Sequence, residues 1–175
     1  LHWPRERLLA LAPRLGADVP FFVGGRDAFV EGIGEQLTPI ELPAAWFAVL
    51  KPPESIETRA IFTSPLLRRD TEAVILAGFL ADMAHNRAQL LLGNYGRNDL
   101  QPPAEAACAE VSEAVRRLQG CFGSARMTGS GSAVFAGAGT GAQPIAAMPS
   151  DLPAGWVGRM CRSLEHHPLA GWATD

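Results

Sequence analysis

What this 175-residue chain lacks narrows what it can be. It has no long basic run, and 15 basic residues against 18 acidic ones leave a formal net charge of −3. Nothing in it therefore points to nucleic acid or an anionic membrane as a partner. No stretch is long and apolar enough to span a bilayer. Cysteine is scarce: Cys108, Cys121 and Cys161 are far apart and form no CxxC pair. That excludes a disulfide framework and predicts buried free thiols in a reducing, cytoplasmic compartment. The Gly-rich stretches lack the Gly-Lys-Ser/Thr ending of a Walker loop. No internal repeat is visible. The opening Leu1-His2-Trp3-Pro4 has neither an initiator methionine nor a signal-peptide pattern, so the sequence reads as one missing its beginning.

What is present is a globular pattern, with 47% hydrophobic and 19% charged residues, enough for a proper core. The spacing of Leu8, Leu11, Ala12 and Leu15 predicts a helix over 5–15, with Pro4 at its start and Gly16 at its stop. Phe21 to Val23 and Ala28 to Glu31 flank Gly24-Gly25-Arg26-Asp27 and predict a β-hairpin. The apolar run Trp46 to Leu50, halted by Pro52-Pro53, predicts a buried strand. A short helix or helical loop is expected over 55–63, and mostly helix over 72–92, broken near Gly78. The clearest helix is expected from Pro103 to Leu118, with Ala106, Val111, Val115 and Leu118 on its apolar face and Gly120 beyond its end. Ala133 to Ala136 and Trp156 to Met160 predict two more strands, joined by a Gly-, Ala- and Pro-rich connection. The order implies an α+β fold with helices on one face of a mainly antiparallel sheet.

Several residues are candidates for chemistry. In Thr128-Gly129-Ser130-Gly131-Ser132, alternating glycine and hydroxyl residues let backbone N–H groups approach a polyphosphate, or simply make a tight hairpin. Gly137 to Ala142 mimics a dinucleotide fingerprint, but Pro144 and Pro149 block the helix that must follow, so a loop is expected. Asp18, between Gly16 and Pro20, is either a turn or cap residue or a general base for phosphoryl transfer. Thr58 and Phe62 stand one helical turn apart, either as a hydroxyl and a ring facing one pocket or as a surface Thr and a core Phe. Asn98-Asp99-Leu100 reads as a helix cap. His85 and the pair His166-His167 have no accompanying metal-ligand cluster, and no metal site is expected.

Taken together, these segments resemble one family, the 4-diphosphocytidyl-2-C-methyl-D-erythritol kinases of the GHMP superfamily. Leu15-Gly16-Ala17-Asp18-Val19-Pro20-Phe21-Phe22 is similar to the family's LGADVPFF segment and is the most specific match. A hairpin from Gly25 to Glu35, the segment from Trp46 through Thr58 to Phe62, the Asn98-Asp99-Leu100 motif and the loop from Thr128 to Phe135 follow in family order. Pro53 and Glu57 depart from the usual residues.

The resemblance implies an ATP-dependent kinase, with Mg2+ accompanying ATP, that phosphorylates the 2-hydroxyl of cytidine diphosphate methylerythritol. Asp18 would be the catalytic base. Thr58 and Phe62 would line the substrate pocket, Phe62 stacking on cytosine. Thr128, Gly129, Ser130, Gly131 and Ser132 would form the Gly-rich loop beside the active site. The implied architecture is the end of a GHMP N-terminal domain over 1–43, then a ferredoxin-like C-terminal domain over 44–175. The family's ATP-phosphate loop has no counterpart here. The chain is therefore expected to be part of a longer kinase, inactive alone and prone to self-associate. Another GHMP kinase, or a non-catalytic ferredoxin-like binding module, is the alternative.

Overall fold

The computed structural model describes residues 3–81, 95–164, 167–168 and 170–173. The chain divides into two compact units, one of residues 1–44 with 164–175 and one of residues 45–163.

The first unit is built from short pieces. Helix α1 spans Arg5–Leu11 and runs into a 3-10 turn at Ala12–Arg14. Pro13 cannot donate an α-helical hydrogen bond, which fits the change of helix type there. Helix α2 spans Val19–Gly24. This corrects the expected strand at Phe21 to Val23. The β-propensity of Phe-Phe-Val loses to the local caps: Pro20 is pre-set for a first helical turn, and Gly25, at φ 69°, is the left-handed stop whose N–H reaches Phe21 O. The hairpin is instead β1, Ala28–Glu31, paired antiparallel with β2, Gln36–Pro39, around the turn Gly32-Ile33-Gly34-Glu35.

The second unit is a four-stranded antiparallel sheet with helices against it. Strand β3 is Trp46–Lys51, followed by α3, Thr58–Thr63. Helix α4 is Gln101–Ala107, α5 is Ala109–Phe122, and the strands β4, β5 and β6 are Arg126–Met127, Val134–Gly139 and Val157–Arg162. The sheet order is β4-β5-β3-β6, every neighbour antiparallel. The first strand of this unit thus lies between its third and its fourth, the split arrangement of ferredoxin-like domains. No helix forms between β5 and β6.

The core lies between this sheet and α5. Ala48, Leu50, Val134, Ala136 and Ala138 alternate on one sheet face and meet Val111, Ala114, Val115, Leu118 and Phe122 at helical spacing. Leu50 and Leu118 are fully buried, and each such side chain contributes about 1.5–3 kcal/mol.

Three further expectations are corrected. The predicted helix 103–118 is two helices, because Cys108 takes an extended conformation at φ −143°, ψ 104°. That break resets the helical phase, so Ala106 is exposed, and α5 continues through Gly120 to end at Gly123. Residues 76–81 are helical straight through Gly78 while 72–75 are not, and the rest of that expected helix lies outside the described residues, as do His85 and His166. The three thiols are free, but Cys121 and Cys161 are exposed rather than buried. Among the described residues no helix is long and apolar enough to cross a membrane.

Candidate active site

In the first unit, Asp18 is the N-cap residue of α2. Its side chain is exposed and makes no capping hydrogen bond, so the carboxylate is not consumed by the turn it sits in. The segment before it is shaped by backbone contact. Gly34 has φ 121°, and a Cβ there would stand 2.1 Å from Ala17 O, so only glycine lets the β1–β2 turn lie against the residue preceding Asp18. That turn is braced by Glu35, whose carboxylate accepts the Ile33 N–H at 2.8 Å. Its own backbone N–H, then that of Ile33, hold the Glu35 carboxyl below its ordinary value. At the far end of α2, Arg5 donates to Val23 O at 2.7 Å.

In the second unit, Thr58 opens α3 and its hydroxyl lies 2.9 Å from the Ser130 hydroxyl. Ile61, 1% exposed, anchors the helix in the core. Phe62, the next residue, is 50% exposed, with its ring available rather than packed away. The segment after β3 and the Gly-rich loop are therefore in direct contact.

The loop leaves β4 at Met127 and returns at β5. Thr128 N–H reaches Ala133 O at 3.0 Å, and Gly131 N–H reaches Thr128 O at 3.2 Å. Gly129 and Gly131 take φ of 57° and 94°, and a Cβ on Gly131 would fall 2.8 Å from Met127 Sδ. Ser132, only 1% exposed, turns inward and donates to Glu54 O at 2.5 Å. Lys51, the only lysine in the chain, donates to the Ser132 hydroxyl at 2.9 Å and to Pro52 O at 2.8 Å. A charged donor shared between the two segments ties one end of the loop down.

The other end is held by side chains before and within α4. Asn98 donates to Met127 O at 2.9 Å and to Gly129 O at 2.8 Å, while Gln101 Oε1 accepts the Met127 N–H at 2.8 Å. Arg126 donates to Tyr95 O, and its guanidinium stands 5.2 Å from the centre of the Phe135 ring. Burial lowers the Arg126 pKa.

Of the residues singled out in the sequence, Thr58, Ser130 and Ser132 join one hydrogen-bonded assembly, and Phe62 flanks it on the same helix. Asp18 stands in the first unit. Gly137 and Gly139 belong to β5, paired with Phe47 and Trp46, so the apparent dinucleotide fingerprint is strand and turn. Lys51 and Gln101 were missed. The available signals were a lone lysine placed between a buried strand and Pro52-Pro53, and a glutamine directly after Asn98-Asp99-Leu100.

Comparison with known proteins finds similar chains. Residues 77–147 match the model described as "GHMP kinases C terminal". The chain is 57% identical, over 99% of its length, to a 4-diphosphocytidyl-2-C-methyl-D-erythritol kinase of Methylibium petroleiphilum, covering 58% of that protein. Likewise it is 45% identical over 99% of its length to the kinase of that name from Variovorax paradoxus, covering 60% of it. The chain thus spans rather more than half the length of the curated relatives it matches. A crystal structure of a 4-(cytidine 5'-diphospho)-2C-methyl-D-erythritol kinase superposes with a TM-score of 0.58 at 33% identity, over 75% of this chain and 47% of that one. The ferredoxin-like sheet, the Gly-rich loop grown from it and these matches agree: residues 77–147 match the GHMP kinase C-terminal model, and the chain is similar, over nearly its whole length, to 4-diphosphocytidyl-2-C-methyl-D-erythritol kinases.

Proposed function

We propose that this chain serves an ATP-dependent kinase that phosphorylates the 2-hydroxyl of 4-diphosphocytidyl-2-C-methyl-D-erythritol in the cytoplasm. The observation that carries the reading is the 57% identity, over 99% of the chain, to a kinase of that name. The geometry adds a consistent chemistry. Asp18, exposed and not used as a cap, takes the proton of the substrate hydroxyl. The freed oxygen attacks the γ-phosphorus, and the bond to the ADP oxygen breaks. Thr58 offers a hydroxyl and Phe62 a ring face for the cytidyl end of the substrate, one turn apart on α3. Thr128 to Ser132 present the backbone of a Gly-rich loop beside them. Residues 1–43 serve as the end of the ATP-binding domain and the chain from 44 as the C-terminal domain, except that residues 164–175 group with the first unit rather than the second.

Magnesium ordinarily accompanies ATP. Among the described residues no group of three or more His, Cys, Asp or Glu side chains is placed to hold a metal, so no step here runs through one. Such an ion would offset phosphate charge when it arrives with ATP.

The test is phosphoryl transfer by the intact protein, with ATP and 4-diphosphocytidyl-2-C-methyl-D-erythritol, followed by 31P NMR. A new monoester resonance matched by ADP release is expected. Turnover of mevalonate or homoserine instead would reassign the substrate, and no turnover of any of the three would remove the kinase reading.

A further inference from the structure

We propose that Asn98 is the positioning residue of the Gly-rich loop, its side-chain amide setting the backbone on either side of Thr128; the inference rests on the kinase reading above. A primary amide has two N–H donors and one oxygen acceptor. Both donors are spent on the loop, at Met127 O (2.9 Å) and Gly129 O (2.8 Å), the carbonyls that bracket Thr128. The oxygen accepts the Leu100 N–H at 3.0 Å, in the turn that opens α4. The amide's orientation follows from this set, because a flip would press its oxygen against two carbonyls.

The three bonds separate two jobs. Accepting from Leu100 N closes an Asx-type turn just ahead of α4, whose N-cap is Leu100 itself and not the expected Asn98, and aspartate or serine can close that turn as well. Donating twice to loop carbonyls needs the amide nitrogen, which neither aspartate nor serine has. The neighbouring contacts show what the clamp controls. Gln101 holds the Met127 N–H at 2.8 Å, so Met127 is gripped through both backbone groups. Ser130, the residue after clamped Gly129, is the one that meets Thr58 at 2.9 Å. Asn98 is thus joined to the proposed substrate-binding hydroxyl through two residues of backbone, without touching the reacting atoms itself.

The experiment compares the parent enzyme with Asn98→Asp and Asn98→Ser in the intact kinase. Both variants retain an acceptor for Leu100 N, and both lose the two donors; aspartate also sets a negative charge against two carbonyl oxygens. Amide hydrogen exchange over 128–132 should accelerate about ten- to hundredfold, the worth of two lost hydrogen bonds. The thermal midpoint should fall only modestly, because the turn closed by the Leu100 N–H is kept and only the two loop bonds are lost. The value of kcat should fall by about the same factor as exchange rises, aspartate worse than serine, with a smaller change in KM for the cytidyl substrate. Exchange at parent rates in both variants would overturn the clamp. Accelerated exchange with an unchanged kcat would overturn its part in positioning for catalysis. Should Asn98→Asp fail to fold, Asn98→Ser decides alone. A parent enzyme with no phosphoryl transfer would sink the kinase reading, and the exchange arm would still decide whether Asn98 holds the loop.

Discussion

Asp18 and the Gly-rich loop are held in place by different means. Among the described residues of the first unit, only Ala12, Pro20 and Gly25 are buried. The loop in the second unit grows from strands whose Met127 and Val134 are 1% and 0% exposed, in a core with Leu50 and Leu118. The Asp18 segment is shaped by close backbone approach, a glycine-dependent turn and single hydrogen bonds. The loop is shaped by a packed sheet and then clamped by Asn98, Gln101 and Lys51. A carboxylate carried on short elements can be displaced by one substitution in its surroundings, whereas a loop on a packed sheet is insulated until its clamps go.

The sharpest way to break this comparison is at the proposed base. In the intact protein, if the proposed function holds, Asp18→Asn should lower kcat by about 10²–10⁴-fold with little change in nucleotide affinity, measured by single-turnover phosphorylation. An unchanged chemical step would remove Asp18 from the mechanism. Next is the core of the second unit. Leu118→Ala should cost about 2–5 kcal/mol in denaturant unfolding, because the cavity forms beneath β5 and β3. A loss under 1 kcal/mol would mean that the sheet–helix core is not what supports the loop.

Gly34→Ala sharpens the contrast from the other side. The new Cβ meets Ala17 O and the backbone sits at φ 121°, a strain of about 1–3 kcal/mol. We expect kcat to fall while hydrogen exchange over 128–132 keeps its parent rates; equal disturbance of both would refute separate support. Lys51→Met should cost about 1–3 kcal/mol through the lost charge-assisted bond to the buried Ser132 hydroxyl, which keeps only its own donation to Glu54 O, read by chemical denaturation. Lys51→Arg should recover only part, since a planar guanidinium does not fit a place shaped for a compact ammonium.

The smallest effect concerns acid. Glu113 is held below its ordinary carboxyl value by hydrogen bonds from Arg116, then Arg117. Its folded pKa lies under its unfolded one, so its contribution is present above the unfolded value and fades as pH falls through the folded value. Glu113→Gln should therefore lower the thermal midpoint slightly at neutral pH and not at all at strongly acidic pH. Equal shifts at both would show that the ion pairs with Arg116 and Arg117 do not act through charge.

The α+β class, the buried strand at Trp46 and the apolar stripe of α5 were legible because burial imposes periodicity that adjacent residues record. The candidate site was legible as separate segments: LGADVPFF, Thr58 with Phe62, and the Gly-hydroxyl loop. The strand expected at Phe21 to Val23 failed because a proline and a left-handed glycine outweighed three β-prone side chains. The single helix expected from 103 to 118 failed because Cys108 adopts an extended conformation that no local composition announces.

By itself the sequence determined which residues carry hydroxyls, charges and glycines, and in what order, since motif spacing is a property of the chain. Only tertiary structure decided which of them meet. Thr58 and Ser130 are 72 residues apart in sequence, and Lys51 and Ser132 are 81 apart. Asn98 could be read as a helix cap from its neighbours alone. Its second role appeared only when the β4–β5 loop arrived beside it, because a hydrogen bond depends on distance in space and leaves no trace in spacing along the chain.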